Sequence, residues 1–447
     1  MLCLFTKDLM MFSFFYNLSL FFLFVLSAPR FFFQKFFKGK YSRYFFTRLV
    51  PEFPFEEVKN KYVIWVHAVS VGETKAIAAL VRDLKKKIQN PYIIISSVTE
   101  TGHAEAKRTL GCANTHIFLP FDFSPVIRPF VKKIRPDLVL ISETDLWYNF
   151  LSCSKEEGAK IVLVNGKISG KSTKRLKRFP FFASKIFSLF DLLCIQSENY
   201  LFRFQSTGIS TEKMFVTGNL KLDDDYPEIK PEEIDAWKKE LGISPDDAVI
   251  VIGSTHHPEE EKIINKLQVL WKKNPALKMI VVPRHPERFD SVAKLLEDLK
   301  IPFTRFSALK NKQGNENVIL IDAMGLLRKC YRFADIAIVG GSFCEKVGGH
   351  NILEPCWYGV PTLFGPHMYN QPEMVDMVKR YNAGIQVSLD DLPRVIERLI
   401  KNKGEKELLG KGGVRLVFHS KGATKKTSDH ILGPHFQTTE KRSEALI

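Results

Sequence analysis

From residue 61 onward the chain alternates two hydrophobic patterns. Short continuous apolar runs, bounded by glycine or polar residues, begin at Tyr62 ("YVIWVHAVS"), Tyr92 ("YIIISSV"), His116 ("HIFLPF"), Asp137 ("DLVLISE"), Lys160 ("KIVLVNG"), Asp191 ("DLLCIQS") and Met214 ("MFVTGNL"). Runs this short and this rich in β-branched residues predict strands of a parallel sheet buried on both faces. Between them lie stretches of helical period, such as Ile77, Leu80, Val81, Leu84 and Ile88 on one helical face. A second series, "AVIVIGS", "KMIVVPR", "NVILID", "IAIVGGS", "PTLFG" and "GIQVS", begins at Ala248. Strand and helix alternating in two series predict two doubly wound α/β domains in tandem.

The interval 223–236, "DDDYPEIKPEEIDA", breaks the pattern with acids and two prolines, a linker composition. Domains are therefore expected at 49–222 and 237–405. A segment 1–48 lies ahead of them, and a basic, glycine-containing segment 406–447 lies behind, expected to hold a helix or two and then a loose tail.

Residues 9–28, "LMMFSFFYNLSLFFLFVLSA", carry no charge and are long enough to cross a hydrocarbon core as a helix. A cleaved signal peptide is the rival, but Lys7 ahead of the segment is offset by Asp8, whereas a signal peptide starts positive. Six basic residues from Arg30 to Arg48 follow instead, which places the rest of the chain in the cytoplasm and suits anionic headgroups. Lying in the interface, without spanning, fits the aromatic and basic stretch at 29–48 equally. The formal charge of +16 has a second cluster at "KISGKSTKRLKR", 167–178, which is either a solvated face or a second contact with an anionic partner. No nucleic acid partner is expected, because the chain lacks the aromatic-basic motifs of such modules. Seven scattered cysteines without a C-x-x-C pair read as reduced thiols.

Open parallel sheets bind ligands beyond the carboxyl ends of their strands. There, Ser254 and Thr255 stand between a strand and a helix start, as an N-cap or as a phosphate site. Arg284 and His285 follow the next strand, and a guanidinium can pair a phosphate bidentately. Asp322, Met324 and Gly325 come after a third. The loop "VGGHNILEP" adds bare backbone for close approach of a ligand, then Asn351 and Glu354, which suit a nucleotide with its ribose on the carboxylate. Histidines 256, 257, 285, 350 and 367 match no metal signature, so no metal is expected. In the first domain Glu73 opens a helix whose dipole favours its ionised form, which makes it either a favourable helix start or a proton acceptor. Glu143 ends another strand beside Trp147. Two carboxylates facing one cleft would form an acid/base or orienting pair.

The blocks "SVGE", "TETG", "ISETDLWYN", "TGNLK", "STHHPEEE", "VPRHPERF" and "GGSFCEKVGGHNILEPCWYGVPTLFGPH", in this order over roughly 60–375, resemble the 3-deoxy-D-manno-octulosonic acid (Kdo) transferases of Gram-negative lipopolysaccharide synthesis. The resemblance implies an inverting, metal-independent glycosyltransferase of the GT-B type, two Rossmann-like domains facing a cleft behind an N-terminal membrane-anchor helix. It implies CMP-Kdo as donor in the second domain, a lipid A precursor as acceptor at the first, no cofactor, and a place on the cytoplasmic side of the inner membrane among anionic lipids. It also implies that Glu73 is the general base and Glu143 a second essential acid. Ser254, Thr255 and Arg284 would stabilise the departing phosphate, with Asp322, Met324 and Gly325 on the cytidine and Asn351 and Glu354 on the ribose. A GT-B enzyme using another nucleotide sugar is the alternative. Three departures from the family pattern, "SSVTETG" at 96–102, "NGKISGKS" at 165–172 with Lys167 for an arginine, and Tyr148 for a proline, fall on the acceptor side and bear on acceptor choice and the number of sugars added.

Overall fold

The run Val63–His67 is apolar on both faces because it has a core on each side: Val63 and Trp65 enter one, Ile64 and Val66 the other. That alternation sets the architecture. The computed structural model describes residues 12–26, 44–49, 52–223, 230–311 and 316–433. The first sheet contains β1 (Val63–His67), β2 (Tyr92–Ser97), β3 (Thr115–Phe118), β4 (Leu138–Ser142), β5 (Lys160–Gly166), β6 (Leu192–Ile195) and β7 (Met214–Val216). It is parallel throughout, in the order β3-β2-β1-β4-β5-β6-β7. The order reverses between β1 and β4, which is where such a sheet opens a crevice for a ligand.

The second sheet contains β8 (Ala248–Thr255), β9 (Leu277–Pro283), β10 (Phe303–Arg305), β11 (Val318–Leu320), β12 (Ile336–Val339), β13 (Thr362–Phe364) and β14 (Gly384–Gln386). It too is parallel, in the order β10-β11-β9-β8-β12-β13-β14, with its reversal between β8 and β12. Ile250 and Ile252 enter one core, Val249 and Val251 the other. Every apolar run read from the sequence is a strand, and β10 is the strand that reading missed. Its three residues, Phe-Thr-Arg, pair with β11 alone at the sheet edge, so they need no apolar run.

The chain divides into two compact units, Met1–Asp224 with Ser420–Ile447, and Asp225–His419. The segment from 406 holds the expected helices and is shared between the two units up to residue 433. The helix Lys403–Ser420 belongs to the second unit as far as His419, and the helix Ala423–Leu432 returns to the first. Asp223 accepts the backbone N–H groups of Gly422 and Thr424, and Ala423 and Ile431 enter the core beside β1. The glycines that make the longer helix look weak permit close approach, since a Cβ at Gly410 would strike the carbonyl of Gly359 and one at Gly412 that of Asn382. Residues 434–447 lie outside the described residues.

Residues 12–26 of the expected anchor are helical. Tyr16 donates to Asp122 at 2.8 Å, Asn17 accepts from the Ser124 N–H and the Asn149 amide at 3.0 Å each, and the Phe12 ring lies 4.6 Å from that of Tyr148. Phe14, Phe15 and Phe21 to Leu26 are exposed. Residues 9–11 and 27–28 of that segment lie outside the described residues, among which no helix is long and apolar enough to cross a membrane. Tyr148, read from sequence as an acceptor-side departure, is buried against Phe12 and Tyr16. Its bulk serves the N-terminal helix.

Candidate active site

The first unit brings Glu73 and Glu143 to the two strands at its sheet reversal. Glu73 lies in the first turn of the helix Val71–Lys87, directly after β1. Its Oε1 accepts from the Ser70 hydroxyl at 2.9 Å and its Oε2 from the Val69 N–H at 2.8 Å, while Ser70 caps the helix through the Glu73 N–H at 3.4 Å. This reciprocal arrangement is a capping box moved one residue outward. The helix dipole was expected to hold the carboxyl in its ionised form. Burial is stronger, and the pKa is raised: desolvation leads, the Val69 N–H opposes it, and the negative charges of Glu143 and Asp145 add to it. A raised pKa makes the ionised form a stronger base.

Glu143 follows β4 with φ of 59°, a left-handed backbone that costs a non-glycine residue on the order of 1 kcal/mol or more. The neighbouring strand holds it there through a bond from the Glu143 N–H to the Val164 carbonyl. Its carboxylate lies 2.7 Å from Lys167 Nζ and 3.0 Å from Lys221 Nζ. A carboxylate clamped by two ammonium groups is an orienting group, and its charge is near enough to act on Glu73. Lys167, in the basic cluster and at an acceptor-side departure, is 37% exposed and pairs with Glu143. Arg48 turns inward, donating to the Leu119 carbonyl and stacking on Phe121. Lys221 is the functional candidate that the sequence reading quoted in "TGNLK" without assigning. Asn165, also left-handed at 56°, accepts the Leu220 N–H and so seats that loop. Asp145 is held by buried His67 at 3.0 Å and by the Trp147 indole N–H at 2.6 Å, which fixes the segment behind Glu143.

In the second unit the polar groups follow β8, β9, β11 and β12. Ser254 is left-handed (φ 57°) at a bulge in β8, and Thr255 is fully buried with its carbonyl accepting the Arg284 N–H. Neither is an N-cap. The helix Glu259–Lys273 begins four residues later and has no side-chain cap, so the expected helix-start phosphate site is replaced by a strand-end loop. Arg284 and His285 are exposed just beyond β9. Asp322 is less free than expected, since it accepts from the Ser307 N–H and hydroxyl and holds the turn Phe306–Asn311. Met324 is 54% exposed and Gly325 is left-handed at 85°, leaving this corner open.

Asn351 and Glu354 do not begin an α-helix. They form a turn into the short 3₁₀ helix Pro355–Tyr358, in which Asn351 Oδ1 accepts the Leu353 N–H and Glu354 lies 3.9 Å from Arg328. Glu259, in the block "STHHPEEE", is given no role by sequence reasoning. It is fully buried, and its carboxylate accepts N–H groups from His256 at 2.8 Å, Gly341 at 2.5 Å and Phe343 at 3.3 Å. One side chain thus ties the loop after β8 to the glycine loop after β12. Burial pushes its pKa up to about 7 against the pull of those three N–H groups. A Cβ at Gly340 would come within 2.7 Å of this carboxylate, so the loop's bareness serves Glu259 as well as a ligand.

Residues 42–224 match the family described as 3-deoxy-D-manno-octulosonic-acid transferase (kdotransferase). A 3-deoxy-D-manno-octulosonic acid transferase of Chlamydia trachomatis is 36% identical over 389 residues, covering 86% of this chain and 88% of that one. The chain belongs to the Kdo transferase family. Another member, from Haemophilus influenzae, is 33% identical over 380 residues, covering 84% of this chain and 87% of its own. Two solved structures share the fold: a glycosyltransferase from Rickettsia africae and a UDP-GlcNAc 2-epimerase from Neisseria meningitidis bound to UDP-GlcNAc. Each has a TM-score of 0.57 at 16% identity, covering 84% and 83% of this chain and 100% and 99% of their own. The architecture of this Kdo transferase family member is thus GT-B-like, with its candidate residues at the carboxyl ends of both sheets.

Proposed function

We propose that this chain transfers Kdo from CMP-Kdo to a lipid A precursor by direct, inverting displacement without a metal ion. The observation that carries the reading is the cluster of Glu73, Glu143, Lys167 and Lys221 at the ends of β1, β4, β5 and β7, in a chain of this family. One carboxylate hydrogen-bonded by Ser70 and Val69, beside an orienting clamp, suits a reaction that needs a single base and no covalent nucleophile. Glu73 takes the proton of the acceptor hydroxyl as its oxygen attacks. In the second unit, Ser254 and Arg284 receive the phosphate, buried Thr255 seats Arg284 through its carbonyl, and His285 lies beside it, a preorganised electrostatic role. Met324, Gly325 and the Asp322-held turn receive the cytidine, and Asn351 and Glu354 the ribose.

Mass spectrometry of a bisphosphorylated lipid A precursor incubated with the protein and fresh CMP-Kdo is expected to show one or more Kdo increments. The yield should be unchanged by EDTA. No increment with intact donor and folded protein overturns the donor assignment, and an EDTA-sensitive yield overturns the metal-free one.

The reading includes attachment to an anionic membrane on the cytoplasmic side. It is supported by the exposed apolar side chains of residues 12–26 and by exposed Lys171, Lys174, Arg175, Lys177 and Arg178 beside exposed Phe179 and Phe181. Phe12 and Phe181 lie 5.8 Å apart, so the two regions are contiguous. Phe21→Asp with Phe24→Asp is expected to move most of the protein from the membrane pellet to the supernatant. Unchanged sedimentation would show that these side chains do not hold it.

A further inference from the structure

We propose that the His256–His350 pair takes up a proton when a phosphate group binds beside it, so that the charge of the site follows the charge of its ligand. The proposal rests on the nucleotide reading of the second unit and adds the proton to it.

The two imidazoles meet edge to edge. Their Nε2 atoms are 2.7 Å apart and their planes differ by 14°. A single proton lies between them: one ring presents Nε2–H and the other a lone pair, which places the second ring's own proton on Nδ1. One further proton can be added at the outer nitrogen of the donating ring while the bond persists. A second would put two N–H groups head to head. The pair therefore offers one titration step.

The surroundings decide when that step occurs. His285, Arg284 and Arg288 lie close enough to His256 to lower its pKa beyond what burial does, and His350 is pushed down to about 4 by burial, then by His256, Arg284 and His285. The acids nearby are Glu259, Glu260 and Glu287, the last exposed and 4.0 Å from His285. Glu259 is turned to the backbone N–H groups of His256, Gly341 and Phe343, and Glu260 lies 3.4 Å from Arg288. The loop leading to His350 carries exposed Glu345 and Lys346, one of each sign. Without a ligand the pair is a neutral couple in a cationic corner beside the strand-end loop of Ser254 and Thr255. A phosphate placed on Arg284 reverses the local field and favours the charged form of the pair. The effect is greatest for the monoester left after transfer, whose phosphate carries close to two negative charges where the phosphodiester group of the donor carries one.

The direction follows from linkage. Binding raises the pKa of the pair from its depressed value, so within the interval between the free and bound pKa values binding consumes protons. Affinity then strengthens as pH falls, by at most about tenfold per pH unit for one proton. CMP contributes the opposite sign, because a cationic site lowers its second phosphate pKa of about 6 and releases protons.

The test is calorimetric titration of the full chain with CMP at pH 7.0 in two buffers of different ionisation enthalpy, alongside His350→Gln and His256→Gln. Glutamine keeps a polar group near the Nε2 position without titrating. The wild type is expected to take up more protons per CMP than either variant, by at most one for the single titration step. Its affinity should also gain several-fold relative to the variants between pH 7.5 and 6.0. Equal proton counts, with CMP bound to wild type and variant alike, overturn the proposal and leave the nucleotide site standing. Absence of CMP binding to folded wild type overturns both. A variant that does not fold is set aside for the other, since either one breaks the pair.

Discussion

Replacing Glu73 by glutamine is expected to lower the rate of Kdo transfer by about a thousandfold, within the range for loss of a general base, while CMP affinity stays unchanged. Glutamine keeps the length and one oxygen of the carboxylate, and Glu73 accepts one bond on each oxygen, from Ser70 and Val69. The amide loses one of them, at a cost of about 1 kcal/mol of stability. A residue that only capped its helix would show that small loss of stability with near-normal turnover, and this outcome sinks the assignment. The acid side of the pH–rate profile carries a second signature. Because burial and the charges of Glu143 and Asp145 raise the pKa of Glu73, activity should rise with pH through a midpoint above that of an ordinary glutamate. In Glu73→Gln that limb should vanish from the residual activity.

Loss of Glu259 is expected to act on the other unit and in a different way. Glu259→Ala leaves three backbone N–H groups of two loops without their acceptor. Each buried donor so stranded costs about 1–3 kcal/mol, and water entering the space left by the side chain recovers part of it. A net loss on the order of 3 kcal/mol is expected, read as a lower unfolding midpoint. Glu259→Gln should be milder in stability, because one oxygen remains, but its NH₂ faces a donor where the carboxylate presented an acceptor. In Glu259→Gln the predicted result is CMP affinity at least tenfold weaker with the protein still folded, since the loops carrying Ser254, His256 and the 341–350 glycines lose their common tie. Wild-type CMP affinity in folded Glu259→Gln would show that the tie is not needed to shape the donor site.

Two kinds of information separate in this protein. Continuous apolar runs bounded by glycine or polar residues were enough to read the strands, because a parallel strand with a core on each face is apolar on both sides through its middle. The same logic failed for β10, an edge strand of three residues. The helices expected after residue 406 are present, and the glycines that weaken the pattern of Lys403–Ser420 answer to the carbonyls of Gly359 and Asn382. Residues after the strands could be nominated as ligand-binding because a parallel sheet gathers its carboxyl ends on one side. Glu73, Glu143, Ser254, Thr255 and Arg284 were legible in this way.

What those residues do once gathered depends on partners far away in the chain. Sequence spacing cannot show that Lys167 and Lys221 clamp Glu143, that Asp322 holds a turn fifteen residues upstream, or that Tyr148 seats the N-terminal helix. Glu259 and the pair of His256 with His350 join segments more than eighty residues apart. The local pattern of the chain determined its strands, its two α/β series and the ends where chemistry would gather, since these follow from which side chains must leave water. The protonation, pairing and orientation of each polar group were decided only by the tertiary structure, because burial and neighbouring charge act through space and not along the chain.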